Sequence, residues 1–255
     1  MVALLAIAGA LVAYDHRGSK GHASALTPAD TTLHKPWLYF YPARGAPPRA
    51  VMVFFGNDVA FWEPHQDLAW RFAGDGISVV GIDLRKYLAT LPDPEPSRDD
   101  AFAASMPDLI ARSRHALSGD SLPLVLAGHS FGAEVAFWIG EHAPPPRLAG
   151  ILALNTRSTG HLFITPNDWL NKEASGRWSF STIDAVRTID PRVRIALVRG
   201  AHDPFRGHDS AFVAAGGNRL RRFEIPMAGH SLGTLLVAGP LISRAVRFLT
   251  DSTSR

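Results

Sequence analysis

A mostly parallel β-sheet with helices on both faces is the fold class this sequence predicts, and three observations carry the prediction. Short apolar runs alternate with helical segments at the spacing of βαβ units. The stretch Leu122-Pro-Leu-Val-Leu-Ala-Gly-His-Ser-Phe-Gly-Ala-Glu-Val-Ala-Phe-Trp138 sets a serine between a buried strand and an apolar helix. Asp203 and His230 then follow the last two apolar strands, each in a short glycine-containing turn. With 255 residues, 46% apolar and 19% charged, the chain has the size and composition of one large α/β domain.

Taken in order, Val2–Ala13 is an apolar run of signal-peptide length, too short to span a bilayer comfortably. Ala23-Ser-Ala25 offers a cleavage site, although no basic residue precedes the run. Export is therefore expected, to the periplasm or with a membrane tether. Residues 1–35 read as this segment plus a polar linker with no core of its own, and residues 36–250 as the domain. Trp37–Tyr41 suits an early strand and Pro42–Pro48 a loop. Ala50–Phe55 is continuously apolar, as a buried parallel strand is, and ends at Gly56-Asn-Asp58. Asp67–Ala73 suits a helix and Ile77–Ile82 a strand closed by Asp83. Pro92–Pro96 breaks the chain, and Ser97 suits the N-cap of a helix to about Leu117, disturbed at Pro107. Pro144-Pro-Pro146 ends the helix after the serine, and Leu148–Leu154 is the next strand. Residues 156–182 look irregular, a natural cap or substrate loop. Val193–Val198 and Arg219–Ile225 are the last strands, and Leu235–Leu249 the closing helix.

The absence of cysteine excludes disulfides, thiolate catalysis and cysteine zinc sites. A net charge of +3 without a long Lys/Arg run does not suggest nucleic acid, and is compatible with an anionic membrane surface. His202-Asp203 and His208-Asp209 lack a recognised ligand spacing, so no metal is expected.

Gly128-His-Ser-Phe-Gly132, in its strand–turn–helix context, is the nucleophile elbow of an α/β-hydrolase fold. The sharp turn strains the serine backbone, and it brings residues 128 and 132 so close that both are glycine. A serine hydroxyl needs a base, and the base needs a partner that fixes its tautomer. This fold supplies them in the order serine, acid, histidine. Ser130 is thus the candidate nucleophile, His230 the general base and then acid, and Asp203 its orienter, with Asp209 in reserve. Two N–H donors must meet the developing oxyanion, each worth about 3–4 kcal/mol. Phe131 supplies one, and Gly56 or Asn57 the other. This chemistry needs no cofactor.

Beyond the elbow, Phe55-Gly-Asn-Asp-Val-Ala-Phe-Trp62 resembles the Ser-Gly-Asp-Gly-Gly-Trp loop of the VirJ/AcvB family of bacterial virulence-associated α/β-hydrolases. Asp75–Asp83 with Leu84, Arg85 and Tyr87, Gly128–Glu134, and Phe163–Leu170 are similar to further stretches of that family. The resemblance covers roughly residues 50–250. It implies a periplasmic hydrolase of aminoacyl-phosphatidylglycerol, freeing lysine or alanine from the lipid headgroup. It also implies an acid facing the substrate ammonium, for which Asp58 and Glu134 match acidic family positions. The sequence departs from the family at His129, where the family has tyrosine, and at Val59 and Ala60, where it has glycines. A generic exported carboxylesterase or lipase acting on a small ester would use the same triad. A non-catalytic binding module on this scaffold is the reading from another class.

Overall fold

A computed structural model describes residues 21–45, 47–92, 97–170, 172–176, 179–230 and 239–251. The expected leader Val2–Ala13, the proline-rich break at 93–96, Trp178 and the first turn of the closing helix lie outside them. Seven strands form one sheet in the order β1-β3-β2-β4-β5-β8-β9. These are β1 (Leu38–Tyr41), β2 (Ala50–Phe55), β3 (Ile77–Ile82), β4 (Leu124–His129), β5 (Leu148–Leu154), β8 (Arg194–Gly200) and β9 (Leu220–Ile225). β1 runs antiparallel along β3, and the other neighbours are parallel.

The continuous apolar runs become buried central strands because side chains alternate between two covered faces. In β2, Val51, Val53 and Phe55 join one core, and Ala50, Met52 and Phe54 the other. The first core is closed by α3 (Ser97–Ala116), α4 (Phe131–His142) and α6 (Thr182–Thr188). The second is closed by α1 (Glu63–Gly74) and α8 (Gly239–Thr250). α3 runs through Pro107 unbroken and begins at Ser97, the residue expected to cap it. Among the described residues no helix is long and apolar enough to cross a membrane.

The structure adds elements that periodicity did not reveal. α2 (Leu84–Leu88) is capped by Asp83, whose carboxylate accepts from the Lys86 N–H at 3.1 Å. α6 is capped in the same way by Ser181, and α7 (Asp209–Gly216) precedes β9. Residues 156–182 hold α5 (Pro166–Trp169) and a two-stranded ribbon of β6 (Thr159–Gly160) and β7 (Phe180–Ser181), so the expected cap carries structure of its own.

The linker reading is corrected for residues 21–35, which pack on the domain. The Ala25 N–H donates to the Phe40 carbonyl at 2.8 Å, and the Ser24 hydroxyl accepts from the Phe40 N–H at 2.9 Å. The Tyr41 hydroxyl donates to the His22 carbonyl at 2.7 Å, and the His22 ring stacks on Trp70. Leu33 is 2% exposed in the first core. Few apolar residues are needed here, because the Ala25 backbone and the Ser24 hydroxyl together satisfy the Phe40 N–H and carbonyl on the open edge of β1.

One core histidine bears on acid stability. His65 in α1 is fully buried among Phe54, Phe61 and His129, with ring centroids 5.4–5.6 Å away. Among the described residues neither ring nitrogen has a hydrogen-bond partner. Burial first, and the neighbouring His129 second, hold its pKa well below the ordinary value. The unfolded ring takes a proton near pH 6.5 and the folded ring does not, so unfolding is favoured as the pH falls below about 6.5.

Two outcomes follow from this packing. Leu33→Ala is expected to lower the free energy of unfolding by about 2–5 kcal/mol in denaturant titrations; no change would return residues 21–35 to the status of a linker. His65→Phe should leave the fold intact and reduce the loss of stability between pH 7 and pH 5. An unaltered slope would show that this ring is not the source.

Candidate active site

The elbow is built by steric necessity. Ser130 lies between β4 and α4 with φ 52° and ψ −118°, a conformation rare for a residue with a side chain. A Cβ on Gly128 would fall on the Gly132 carbonyl, and one on Gly132 would fall on the Phe55 and Gly56 carbonyls. The two glycines therefore let β4, α4 and the loop after β2 meet. The Ser130 N–H donates to the Leu154 carbonyl at 2.8 Å, and its own carbonyl starts the helix by accepting from Ala133 at 2.9 Å.

Asp203 follows β8, and its Oδ1 caps a short 3₁₀ turn by accepting from the Phe205 N–H at 2.8 Å. His230 follows β9. The His230 Nδ1 lies 2.8 Å from Asp203 Oδ2, and its Nε2 lies 2.8 Å from Ser130 Oγ. With Nδ1–H donating to the carboxylate, Nε2 is left to accept from the hydroxyl. Residues separated by 100 and 27 positions are thus joined through one imidazole. The contact lies in the open enough to be reached, since the His230 side chain is 17% exposed.

Behind this row lies a buried ion network. Arg199, fully buried in β8, donates through Nη1 to Asp203 Oδ1 at 3.2 Å and through Nε to Asp209 Oδ1 at 2.9 Å. Burial alone would raise the Asp203 pKa. The hydrogen bond from His230, the charge of Arg199 and the Phe205 N–H outweigh it, so the carboxyl is held below its usual range. Asp209, the reserve acid, is taken by Arg199 and by Arg222 at 3.1 Å, and does not reach the histidine.

Of the oxyanion candidates, Phe131 opens α4, where a backbone N–H has no acceptor within the helix. The Gly56 N–H already donates to the Ile82 carbonyl at 2.9 Å, which leaves Asn57 for the second donor. The Asn57 side chain fixes that loop by accepting from the N–H groups of Val59 at 3.1 Å and Ala60 at 3.2 Å. A side-chain turn therefore holds the segment in which this sequence lacks the expected glycines.

The two acids proposed for an ammonium part company. Asp58 is 8% exposed and, among the described residues, forms no ion pair. Burial pushes its carboxyl up, with the charge of Asp168 adding to this and those of Arg157 and His230 opposing it. Glu134 is fully buried, and both its oxygens are engaged by Arg157, Oε1 at 2.5 Å and Oε2 at 2.8 Å. Arg157 also donates to Asp168 at 2.5 Å and to the Lys172 carbonyl at 2.8 Å. Burial disfavours the guanidinium charge, but the two carboxylates more than offset it, and its pKa is raised. Glu134 therefore anchors the cap region, with its carboxylate paired to Arg157 and shut off from any approaching ligand.

Sequence reasoning passed over Arg157, Arg199 and Asn155. Arg199 carried a signal, a charge inside an apolar strand. Asn155, one residue beyond β5, carried none. Its buried side chain donates to the carbonyls of Gly229 at 3.3 Å and His230 at 3.2 Å, and accepts from the Gly200 N–H at 3.0 Å.

No curated protein matches the sequence. Among solved structures the chain is similar to MenH from S. aureus, with a TM-score of 0.60 at 13% identity over 85% of this chain and 100% of that one. The α-β serine hydrolase homologue from Coxiella burnetii gives 0.58 at 13% over 81% and 89%. The esterase domain of a Rhodothermus marinus protein gives 0.57 at 14% over 84% and 93%. Together with the sheet order these make the fold that of an α/β-hydrolase. A family model described as bacterial virulence protein (VirJ) matches residues 49–220. That span is well over half of the sequence, and the chain belongs to the bacterial virulence protein (VirJ) family.

Proposed function

We propose that the protein is a serine hydrolase of carboxylic esters. The single observation that carries this reading is the His230 ring, 2.8 Å from the Ser130 hydroxyl on one side and 2.8 Å from the Asp203 carboxylate on the other. As Ser130 Oγ attacks the ester carbonyl, its proton passes to His230 Nε2. Asp203 holds Nδ1–H and stabilises the imidazolium that forms. The carbonyl oxygen takes up negative charge facing the N–H groups of Phe131 and Asn57, and the N-terminal end of α4 adds its dipole. Collapse breaks the bond to the alcohol oxygen, which leaves with the proton from His230. A water then gives one proton to His230 Nε2 and attacks the acyl carbon. Collapse breaks the bond from that carbon to Ser130 Oγ, the proton returns from His230 to Oγ, and the acid is freed.

The aminoacyl ester of lysyl- or alanyl-phosphatidylglycerol is the substrate we favour. Asp58 supports it, as a buried carboxyl on the oxyanion loop that forms no ion pair among the described residues; an incoming ammonium would supply one. Exposed apolar side chains on loops at the carboxyl edge of the sheet also suit a lipid. Val59 follows β2, Leu170 ends the cap helix α5, and Met227 precedes His230, with exposures of 49%, 61% and 74%. The leader expected from Val2–Ala13 would put this chemistry at the periplasmic face of a membrane. A generic carboxylesterase is the second reading, favoured by the same triad without Asp58.

Ser130→Ala is expected to stay folded and to lose at least about 10³-fold in hydrolysis of 4-nitrophenyl esters and of aminoacylated phosphatidylglycerol. Equal turnover by both proteins would end the serine mechanism. Asp58→Asn should lower kcat/KM for the aminoacyl lipid about tenfold more than for an uncharged nitrophenyl ester, the scale of one lost charge contact. An equal effect on both substrates would favour the carboxylesterase.

A further inference from the structure

We infer that Asn155 is a positioning residue that sets the distance between the two loops bearing Asp203 and His230; this rests on the serine-hydrolase reading above. The triad acid and base come from different strands, β8 and β9, whose ladder ends at Gly200 and Ile225. Past it the loops meet through backbone bonds from the Ala201 N–H to the Ile225 carbonyl at 3.0 Å and from the His202 N–H to the Ala228 carbonyl at 2.8 Å, neither of which holds His230 itself. Asn155 lies at that junction. Its Oδ1 accepts from the N–H of Gly200, the last residue of β8, at 3.0 Å. Its Nδ2 donates to the carbonyls of Gly229 and His230, at 3.3 and 3.2 Å. One amide therefore clasps the root of the acid loop with its acceptor end and the base itself with its donor end.

The neighbourhood leaves little room for another residue type. Asn155 is fully buried, and its backbone N–H donates to the Val198 carbonyl at 2.9 Å, which fixes it to β8 as well. Its φ of 50° is a left-handed conformation that asparagine tolerates better than most residues with side chains. A Cβ on Gly200 would fall on the carbonyls of Ala228 and Gly229, so the acid and base loops are already in contact where Asn155 joins them. The His202 N–H donates to the Ala228 carbonyl at 2.8 Å in the same contact. A second donor meets the His230 carbonyl: His129 Nε2 at 3.0 Å. That bond fixes the His129 tautomer with its proton on Nε2. Burial, helped by the nearby His230, lowers the His129 pKa to about 3, so the ring remains a neutral donor.

An aspartate at 155 keeps the acceptor for Gly200 but turns a lone pair towards two carbonyl oxygens. A glycine keeps the left-handed backbone without strain and removes the clasp. The test compares wild type, Asn155→Asp, Asn155→Gly and Ser130→Ala on 4-nitrophenyl butyrate. Active sites are counted by endpoint labelling with a fluorophosphonate, so that misfolded protein is not scored as slow enzyme. The expected result is a fall in kcat per labelled site of about 10- to 100-fold in both Asn155 variants, with KM within about twofold, the scale of a displaced catalytic group. A residue needed only for folding would lower the fraction of protein that labels and the melting temperature, and leave kcat per labelled site unchanged. If Asn155→Asp does not fold, Asn155→Gly decides. A kcat per labelled site within twofold of wild type in a folded variant overturns the proposal while Ser130→Ala remains inactive. Full activity of Ser130→Ala would overturn the serine reading beneath it.

Discussion

The molecule depends on one unfavourable backbone conformation. Ser130 sits at a positive φ, and a residue with a side chain holds such a geometry at a cost of about 1–3 kcal/mol unless its surroundings leave no alternative. Here they leave none. The serine N–H is tied to the end of β5, its carbonyl begins α4, and two glycines let a strand, a helix and a neighbouring loop touch at backbone distance. The sheet order follows the same logic: β4 lies at the centre, flanked by the strand whose loop bears Asn57 and by the strand that Asn155 follows. The hydroxyl is raised clear of the sheet because everything beneath it is close-packed.

Around that point the polar side chains are arranged in series. Arg199 lies against Asp203, Asp203 against His230, and His230 against Ser130. Each group compensates the burial of the next, which is how a carboxylate with no exposed side chain remains ionised. The row of imidazoles formed by His65, His129 and His230, with ring centroids 5.6 and 5.8 Å apart, grades from apolar core to open site. The inner two are held neutral by burial, and only the outer ring is reachable by solvent.

Much of this was legible in the sequence, for identifiable reasons. Strands buried on both faces announce themselves as unbroken apolar runs, so β2, β3, β4 and β5 stand close to where Ala50–Phe55, Ile77–Ile82, Leu124–Leu126 and Leu148–Leu154 put them. The positions of Ser130, Asp203 and His230 followed from the order in which strands end. The short helices α2, α6 and α7 were harder to see, because five to eight residues hold too few turns for an apolar stripe, and their capping residues, Asp83 and Ser181, were the better signal. Residues 21–35 read as a linker because they hold on through a few scattered contacts of Ser24, His22 and Leu33 and a backbone bond from Ala25, which leave no periodic mark on the sequence. Glu134 illustrates a different limit. Its motif position was plain, but its partner Arg157 is 23 residues away in a segment without periodicity, and only the fold shows that the two meet.

The ion cluster of Arg157, Glu134 and Asp168 has a consequence for how this cap can change. Removing Arg157 would strand two carboxylates in a dry interior, whereas loss of Glu134 or Asp168 still leaves the guanidinium one partner, so Arg157 is the member least open to single substitution. Asp168 belongs to the cap and Glu134 to the elbow helix, so a cap of new shape must bring its own counterion for the helix. Exchange of whole segments, with anchor included, is the route left open to a lineage that changes what it accepts.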